Sequence, residues 1–253
     1  MRKITILSII ATVCFIAAQG VFAGTYVGVM KGTICQAYVD YNDANTITVT
    51  AGYGECNGHY WEVTEPILHG MTSLTTSEDF HYIYIDDANS DYPYPTIIDS
   101  TAEPAWSNSN LGWYNGNNRC IGVVWSPQGS ATIFSFNTNS SLMVISSGMK
   151  IVLQNGNPTG GWDFLETTAY IPLNAIAVSV SASNADWNGT VVARVAVYNR
   201  SETQILDDSY NGYASVTGWL QLVRNSPRDL IYMGENDDDN TFYVEITGYQ
   251  IER

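Results

Sequence analysis

Five Asn-Gly steps divide the sequence and constrain its fold more than any other feature. Each supplies residues that tolerate positive φ, which a two-residue β-hairpin turn requires. Between the steps, short runs of β-branched and aromatic residues recur, and helical periodicity is nearly absent. The steps are Asn57-Gly58, Asn115-Gly116, Asn155-Gly156, Asn188-Gly189 and Asn211-Gly212. This pattern predicts an all-β protein with an antiparallel, β-sandwich or jelly-roll-like fold.

Alternation of apolar with small or polar residues, as over 176–181 and 193–198, predicts strands with one buried face. Strands are predicted at 46–51, 80–85, 119–125, 132–136, 150–153, 176–182, 191–198, 218–223, 230–233 and 241–247. A polar stretch over 137–141 is typical of a junction. We therefore predict two β units, an N-terminal β unit over residues 24–138 and a C-terminal β-sandwich over 139–253. One continuous domain is the alternative.

The first residues have the composition of a secretory signal peptide. Arg2 and Lys3 precede an apolar run over 4–18, and small residues around Ala23 form a cleavage site. The run is shorter than the roughly 20 apolar residues that span a bilayer as a helix. We therefore predict a signal peptide over residues 1–23, a mature chain that begins at Gly24, secretion to the cell exterior or surface, and no membrane insertion.

The charge of the chain restricts its partners. Acidic residues outnumber basic ones by 25 to 10, which gives a formal net charge of −15. Such a charge opposes binding to nucleic-acid phosphates or to an anionic membrane surface. We expect a surface glycan or a protein partner, and no nucleic acid.

Three cysteines follow the predicted signal peptide. In an oxidising compartment a disulfide is expected, and Cys35 and Cys56 are the pair closest in sequence. Cys120 lies in an apolar run that indicates a buried strand, so we expect a shielded thiol there. A bridge between chains through Cys120 is the alternative.

The densest group of carboxylates lies at Asp237, Asp238 and Asp239. Ca²⁺ prefers such hard oxygen ligands, so these three residues are the predicted metal ligands. The group lacks the spaced acidic residues of an EF-hand, and a solvated hairpin tip is the favoured interpretation of the segment over a Ca²⁺ site. No cofactor other than Ca²⁺ is expected.

A stretch rich in aromatic residues and asparagine, 106–115, is the predicted ligand-binding site. Exposed rings can stack on sugars, because C–H bonds meet the π face while nearby amides bond the hydroxyls. The predicted residues are Trp106, Asn108, Asn110, Trp113 and Tyr114. The alternative is that these aromatic side chains belong to a core or to an oligomer interface.

No set of residues specifies a reaction. The sequence lacks the Gly-x-Ser-x-Gly nucleophile elbow, and His59, His69 and His81 lack metal-ligand spacing. No pair of carboxylates is marked for glycoside hydrolysis by its context. We expect that the protein is not an enzyme, and a secreted hydrolase is the least favoured alternative.

Three segments carry a likeness to a known family. Residues 81–85 stand in place of an aromatic Tyr-Val-Tyr strand, 119–123 are similar to an Arg-x-Ile-Gly strand, and 171–178 are similar to the strand that opens a sandwich. In this order they resemble the appendage domains of phage and prophage fibre or stem proteins. The resemblance implies an early β unit followed by a sandwich, and a structural or receptor-binding part that is often trimeric. The signal peptide departs from that family, whose virion members assemble in the cytoplasm.

These observations together predict a secreted structural or adhesive β protein. We expect it to bind a partner or a surface glycan through exposed loops, and a homo-oligomer such as a trimer is a further hypothesis. A carbohydrate-binding module is the alternative function.

Overall fold

The structure, a computed structural model, describes residues 32–139, 142–145, 150–156, 161–198, 205–224, 226, 228–235 and 242–253. The predicted signal peptide, over residues 1–23, lies outside the described residues, as do Asp237, Asp238 and Asp239. Within the described ranges, no helix is long and apolar enough to cross a membrane.

The described residues form nineteen strands and one short 3₁₀ helix, Thr168–Tyr170. The strands are β1 (Ile34–Cys35), β2 (Val39–Asp43), β3 (Thr46–Val49), β4 (Gly52–Cys56), β5 (His59–Val63), β6 (Ile67–Gly70), β7 (Asp79–Ile85), β8 (Ile97–Ser100), β9 (Ala105–Ser107), β10 (Gly112–Asn115), β11 (Asn118–Ser126), β12 (Phe136–Asn139), β13 (Leu142–Ile145), β14 (Lys150–Gly156), β15 (Asp163–Leu165), β16 (Ala175–Val197), β17 (Ile205–Gln221), β18 (Leu230–Glu235) and β19 (Phe242–Ile251). The predicted all-β, antiparallel, sandwich-like fold is confirmed.

The N-terminal part contains three antiparallel sheets. Their strand orders are β1-β4-β5, β2-β3-β6 and β8-β7-β11-β10-β9. The step at Asn57-Gly58 connects β4 to β5 with φ of 50° and 89°, as a two-residue hairpin requires. Gly116, at φ 62°, lies in the turn between β10 and β11. The strand predicted over 132–136 is wrong for residues 132–135, which belong to no strand, whereas Phe136 begins β12.

The C-terminal part is built on a long two-stranded ribbon of β16 and β17. The two strands predicted over 176–182 and 191–198 are one strand, and its pairing with β17 shifts register between Ala185 and Thr190. The backbone N–H of Ser215 donates to Asp208 Oδ2 at 2.9 Å. In a straight strand these residues would lie about 23 Å apart, at about 3.3 Å per residue. The ribbon therefore folds back on itself at this point.

This fold of the ribbon produces the two layers of the sandwich. In one layer, the first half of β16 pairs with β19, and β19 pairs in turn with β13 and β14. In the other layer, the second half of β16 pairs with β18, and β18 pairs in turn with β15. The layers are in close contact, because a methyl group at Gly218 would lie 2.6 Å from Leu206 Cδ2. Asn-Gly steps at 188–189 and 211–212, predicted as hairpin turns, occupy this corner.

The two parts share one apolar core. The ring of Tyr249 in β19 lies 5.9 Å from that of Phe80 in β7, and the backbone N–H of Leu173 donates to the Tyr82 hydroxyl at 3.3 Å. The predicted boundary between residues 138 and 139 lies inside β12, which pairs with β13. The Thr138 hydroxyl in β12 also donates to the carbonyl of Val39 at 2.9 Å. β12 therefore contacts both parts.

The predicted disulfide between Cys35 and Cys56 does not form. Cys35 lies opposite Tyr53 in the pairing of β1 with β4, and Cys56 lies three residues farther along β4. That offset corresponds to about 10 Å along the strand, beyond the Cα separation that a disulfide allows. Cys56 is a free buried thiol, and the shielded thiol expected at Cys120 is confirmed. Burial raises the pKa of Cys56 to about 11 and that of Cys120 to about 12.

Candidate binding surfaces

The predicted aromatic stretch forms the hairpin of β9 and β10. Trp106 in β9 lies directly opposite Trp113 in β10, and their rings meet edge to face with centroids 5.8 Å apart. The Trp106 indole N–H donates to Asn108 Oδ1 at 2.9 Å, and the backbone N–H of Asn110 donates to the Ser107 hydroxyl at 3.2 Å. The hairpin therefore places Trp106, Asn108 and Asn110 at the edge of its sheet.

Two of the five predicted ligand-binding residues are core residues, which corrects the prediction for them. Trp113 is 1% exposed, and its indole N–H donates to Glu252 Oε2 at 3.2 Å. Tyr114 is also buried, and its hydroxyl accepts hydrogen bonds from Arg119 and from the backbone of Asn57. The physical reason is that both faces of β10 are covered: the consecutive residues Trp113 and Tyr114 point to opposite faces of the sheet, and both are buried in the core.

Two residues far along the chain complete the surroundings of Trp106. The Arg224 guanidinium carbon lies 3.5 Å from the centroid of the Trp106 ring, and Arg224 Nε donates to Glu252 Oε2 at 2.8 Å. Arg224 Nη2 forms an ion pair with the other oxygen of Glu252. We call Trp106, Asn108, Arg224 and Glu252 the Trp106 site. The sequence carried no signal for Arg224 or Glu252, because more than one hundred positions separate them from Trp106.

A second aromatic surface lies on the outside of the β15-β18-β16-β17 layer. Phe164 pairs with Ile231, Ile231 with Ala196 and Ala196 with Ile205, so the four form one row across the layer. Residues directly opposite one another in neighbouring strands have side chains on the same face of the sheet. The Tyr198 ring lies 5.2 Å from that of Phe164, edge to face. We call these five residues the outer aromatic face.

The outer aromatic face exposes large apolar groups to solvent. Phe164 is 55% exposed, Ile205 43% and Tyr198 42%. The neighbouring row on the same face contains Arg194, which pairs with Asp207 through Nε and Oδ1 at 2.8 Å. The charges of this ion pair cancel each other. Ile231 and Ala196, the middle residues of the row, are buried, so the exposed apolar groups are the three side chains above. Exposed apolar groups with a polar rim are typical of interaction sites.

A serine, a histidine and an aspartate meet in the N-terminal part, a grouping that sequence reasoning missed. The Ser73 hydroxyl lies 2.6 Å from His81 Nδ1 and 2.5 Å from Asp99 Oδ2. In a catalytic triad the carboxylate binds the imidazole that contacts the serine. Here Asp99 instead binds the Ser73 hydroxyl itself, the backbone N–H groups of Thr72 and Ser73, and the imidazole of a different histidine, His69. Burial by itself would raise the pKa of Asp99, but hydrogen bonds from His69, Ser73 and Thr72 hold it well below its ordinary value. The cluster stabilises a buried carboxylate.

A second carboxylate–histidine contact supports the β4–β5 turn. Asp87 accepts hydrogen bonds from His59 Nδ1 at 3.1 Å, Asn57 Nδ2 at 3.0 Å and the Tyr92 hydroxyl at 2.9 Å. Burial would raise the pKa of Asp87, but these hydrogen bonds outweigh it and lower the pKa. Across the described ranges, no group of three or more His, Cys, Asp or Glu side chains could hold a metal ion. The predicted Ca²⁺ ligands Asp237 to Asp239 lie outside those ranges.

Comparison with known proteins adds no assignment: no protein-family model matches this chain, and no curated protein matches its sequence.

Proposed function

We propose that the chain is a secreted adhesive β protein that binds a surface glycan through its outer aromatic face. A protein partner is the alternative ligand for this face. The observation that carries the proposal is the edge-to-face pair of Phe164 and Tyr198, two rings that are about half exposed on one face of a sheet that also exposes Ile205. Glycan binding by this face would make the chain function as a carbohydrate-binding module.

Stacking supplies the binding energy in this proposal. The rings of Phe164 and Tyr198 offer π faces and edges to the C–H groups of a sugar. The ion pair of Arg194 with Asp207 in the neighbouring row leaves this face without a net charge of its own. A neutral glycan fits this surface better than an anionic one, because the chain carries a net charge of −15.

The experiment is a glycan array probed with the mature chain from Gly24, displayed in multiple copies and run with and without Ca²⁺. Display in multiple copies raises the overall avidity, so that weak single contacts become detectable. The comparison with and without Ca²⁺ tests the predicted metal ligands Asp237 to Asp239. Phe164→Ala and Tyr198→Ala should each weaken binding about five- to tenfold, since loss of a ring contact costs roughly 1–1.5 kcal/mol.

A matched control is Leu68→Ala. Leu68 is also an exposed apolar residue, at 62%, but lies in β6 on a different sheet. It should bind as the unmodified chain does. If all three variants bind as strongly as the unmodified chain, the outer aromatic face has no role in binding. Turnover of a polysaccharide on the array would favour the hydrolase.

A self-assembling structural protein is the second candidate, favoured by the exposed apolar groups at Phe164 and Ile205 and by the resemblance to trimeric fibre domains. In that case a second copy of the chain covers the outer aromatic face. Light scattering of the unmodified chain would then give an oligomeric mass, which Phe164→Ala should reduce to that of a monomer. A monomeric unmodified chain would refute this candidate.

A further inference from the structure

Arg224 occupies a position in which a cation is held between a ring and a carboxylate. Its guanidinium carbon lies 3.5 Å from the Trp106 ring centroid, well within the roughly 6 Å range of cation–π attraction. Two of its nitrogens contact the two oxygens of Glu252. This paired contact is the geometry by which carboxylates recognise a planar guanidinium.

The ring and the carboxylate are both held by groups other than Arg224. The Trp113 indole N–H donates to Glu252 Oε2, and Trp113 is itself buried. The Trp106 ring packs edge to face on Trp113, and its own N–H bonds Asn108. Departure of Arg224 therefore leaves both recognition groups in place. Such preorganisation lowers the entropic cost of binding an external group.

Arg224 is also able to leave. Its side chain is 40% exposed, and it lies beyond the end of β17, outside the regular pairing of the sheet. An ion pair and a ring contact at this degree of exposure are each weak, because water screens them.

We propose that the Trp106 site binds a cationic side chain, an arginine or lysine of a protein partner, and that Arg224 fills this site in the unbound chain. Complementary charge supports a cationic partner, because 25 acidic residues against 10 basic ones attract positively charged segments. The partner's arginine takes the place of Arg224 on the ring and on Glu252. This proposal does not depend on glycan binding by the outer aromatic face.

The competition between Arg224 and a partner sets the expected effect. If Arg224 covers the site for about nine-tenths of the time, the apparent Kd for an external guanidinium is about tenfold higher than the Kd of the open site. Removal of Arg224 should therefore strengthen binding about tenfold.

The test titrates the full mature chain into a peptide of Gly and Ser with one central arginine, labelled with a neutral fluorophore and followed by anisotropy. Arg224→Ala should bind about tenfold more tightly than the unmodified chain, and rising salt should weaken the binding. Glu252→Gln or Trp106→Leu, added to Arg224→Ala, should remove the gain. A matched peptide with glutamine in place of arginine should not bind.

Arg194→Ala is the matched control, because Arg194 is also an exposed arginine in an ion pair, with Asp207. It should bind the peptide as the unmodified chain does. Arg224→Gln provides a second variant that keeps a long polar side chain, should Arg224→Ala unfold. The proposal is overturned if neither Arg224 variant binds the arginine peptide more tightly than the unmodified chain, or if the glutamine peptide binds equally well.

Discussion

Replacing Arg119 by methionine should lower the free energy of unfolding by about 3–5 kcal/mol, the usual cost of breaking a buried ion pair. Arg119 is fully buried, and its Nη1 lies 3.6 Å from Glu55 Oε2. Its Nη2 donates to the carbonyls of Gly32 at 2.8 Å and Arg253 at 3.1 Å. The side chain therefore connects the first and last described residues to the middle of the chain.

The magnitude follows from what the substitution leaves behind. Methionine keeps much of the apolar stem, so the loss is chiefly electrostatic. The Glu55 carboxylate, 4% exposed, would remain buried without its cation, and the carbonyls of Gly32, Glu55 and Arg253 would lose this donor. Against a typical total stability of about 5–15 kcal/mol, this loss is a large fraction.

Urea denaturation followed by near-UV circular dichroism measures the effect. Adding Glu55→Gln to Arg119→Met removes the unpaired charge and should recover part of the loss. Arg194→Met is the control, because its ion pair with Asp207 is exposed and should contribute about 1 kcal/mol or less. A loss below about 1 kcal/mol for Arg119→Met, or no recovery in the double variant, would refute the reasoning.

Three further outcomes follow from other buried groups. Burial lowers the pKa of His81, so as the pH falls the unfolded chain binds a proton before the folded chain does. The free energy of unfolding, measured by urea titration at several pH values, should therefore decline below about pH 6.5. This decline should be absent in His81→Asn. Burial raises the pKa of Cys56 to about 11 and that of Cys120 to about 12, so neither should react with a thiol reagent at neutral pH until denaturant is added. Because Cys35 is a third cysteine of the mature chain, the labelled residues are identified by mass spectrometry, and rapid labelling of Cys56 or Cys120 in the native chain would contradict their burial. Gly122→Ala should lower the free energy of unfolding by about 1–3 kcal/mol, because the added methyl group collides with Val39 in β2. An unchanged Tm in thermal unfolding would show instead that β2 moves to make room for the methyl group.

Local chemistry explains why the strands and turns were predictable. The Asn57-Gly58 step formed its turn because positive φ is a property of the residues themselves. The strand over 119–125 was predictable because a continuous apolar run is buried on both faces wherever it pairs. The same local rules failed at 188–189 and 211–212, where two facing steps form a corner of a ribbon instead of two turns.

The candidate surfaces depended on the tertiary structure. Trp106 and Trp113 lie opposite each other in the same hairpin, yet Trp113 is buried, whereas Trp106, in the edge strand, is partly exposed. Phe164 and Tyr198 form one exposed surface because β15 pairs with β18 and β18 with β16. Strand order of this kind arises from long-range pairing.

Composition and periodicity therefore determined by themselves the fold class, most strands and several turns of this protein, because these depend on neighbours within a few residues. Pairing decided which aromatic side chains face solvent, and it also excluded the disulfide, since register placed Cys35 opposite Tyr53 and away from Cys56. The tertiary structure alone placed Arg224 on Trp106, because contacts across such distances in sequence result from the packing of whole sheets.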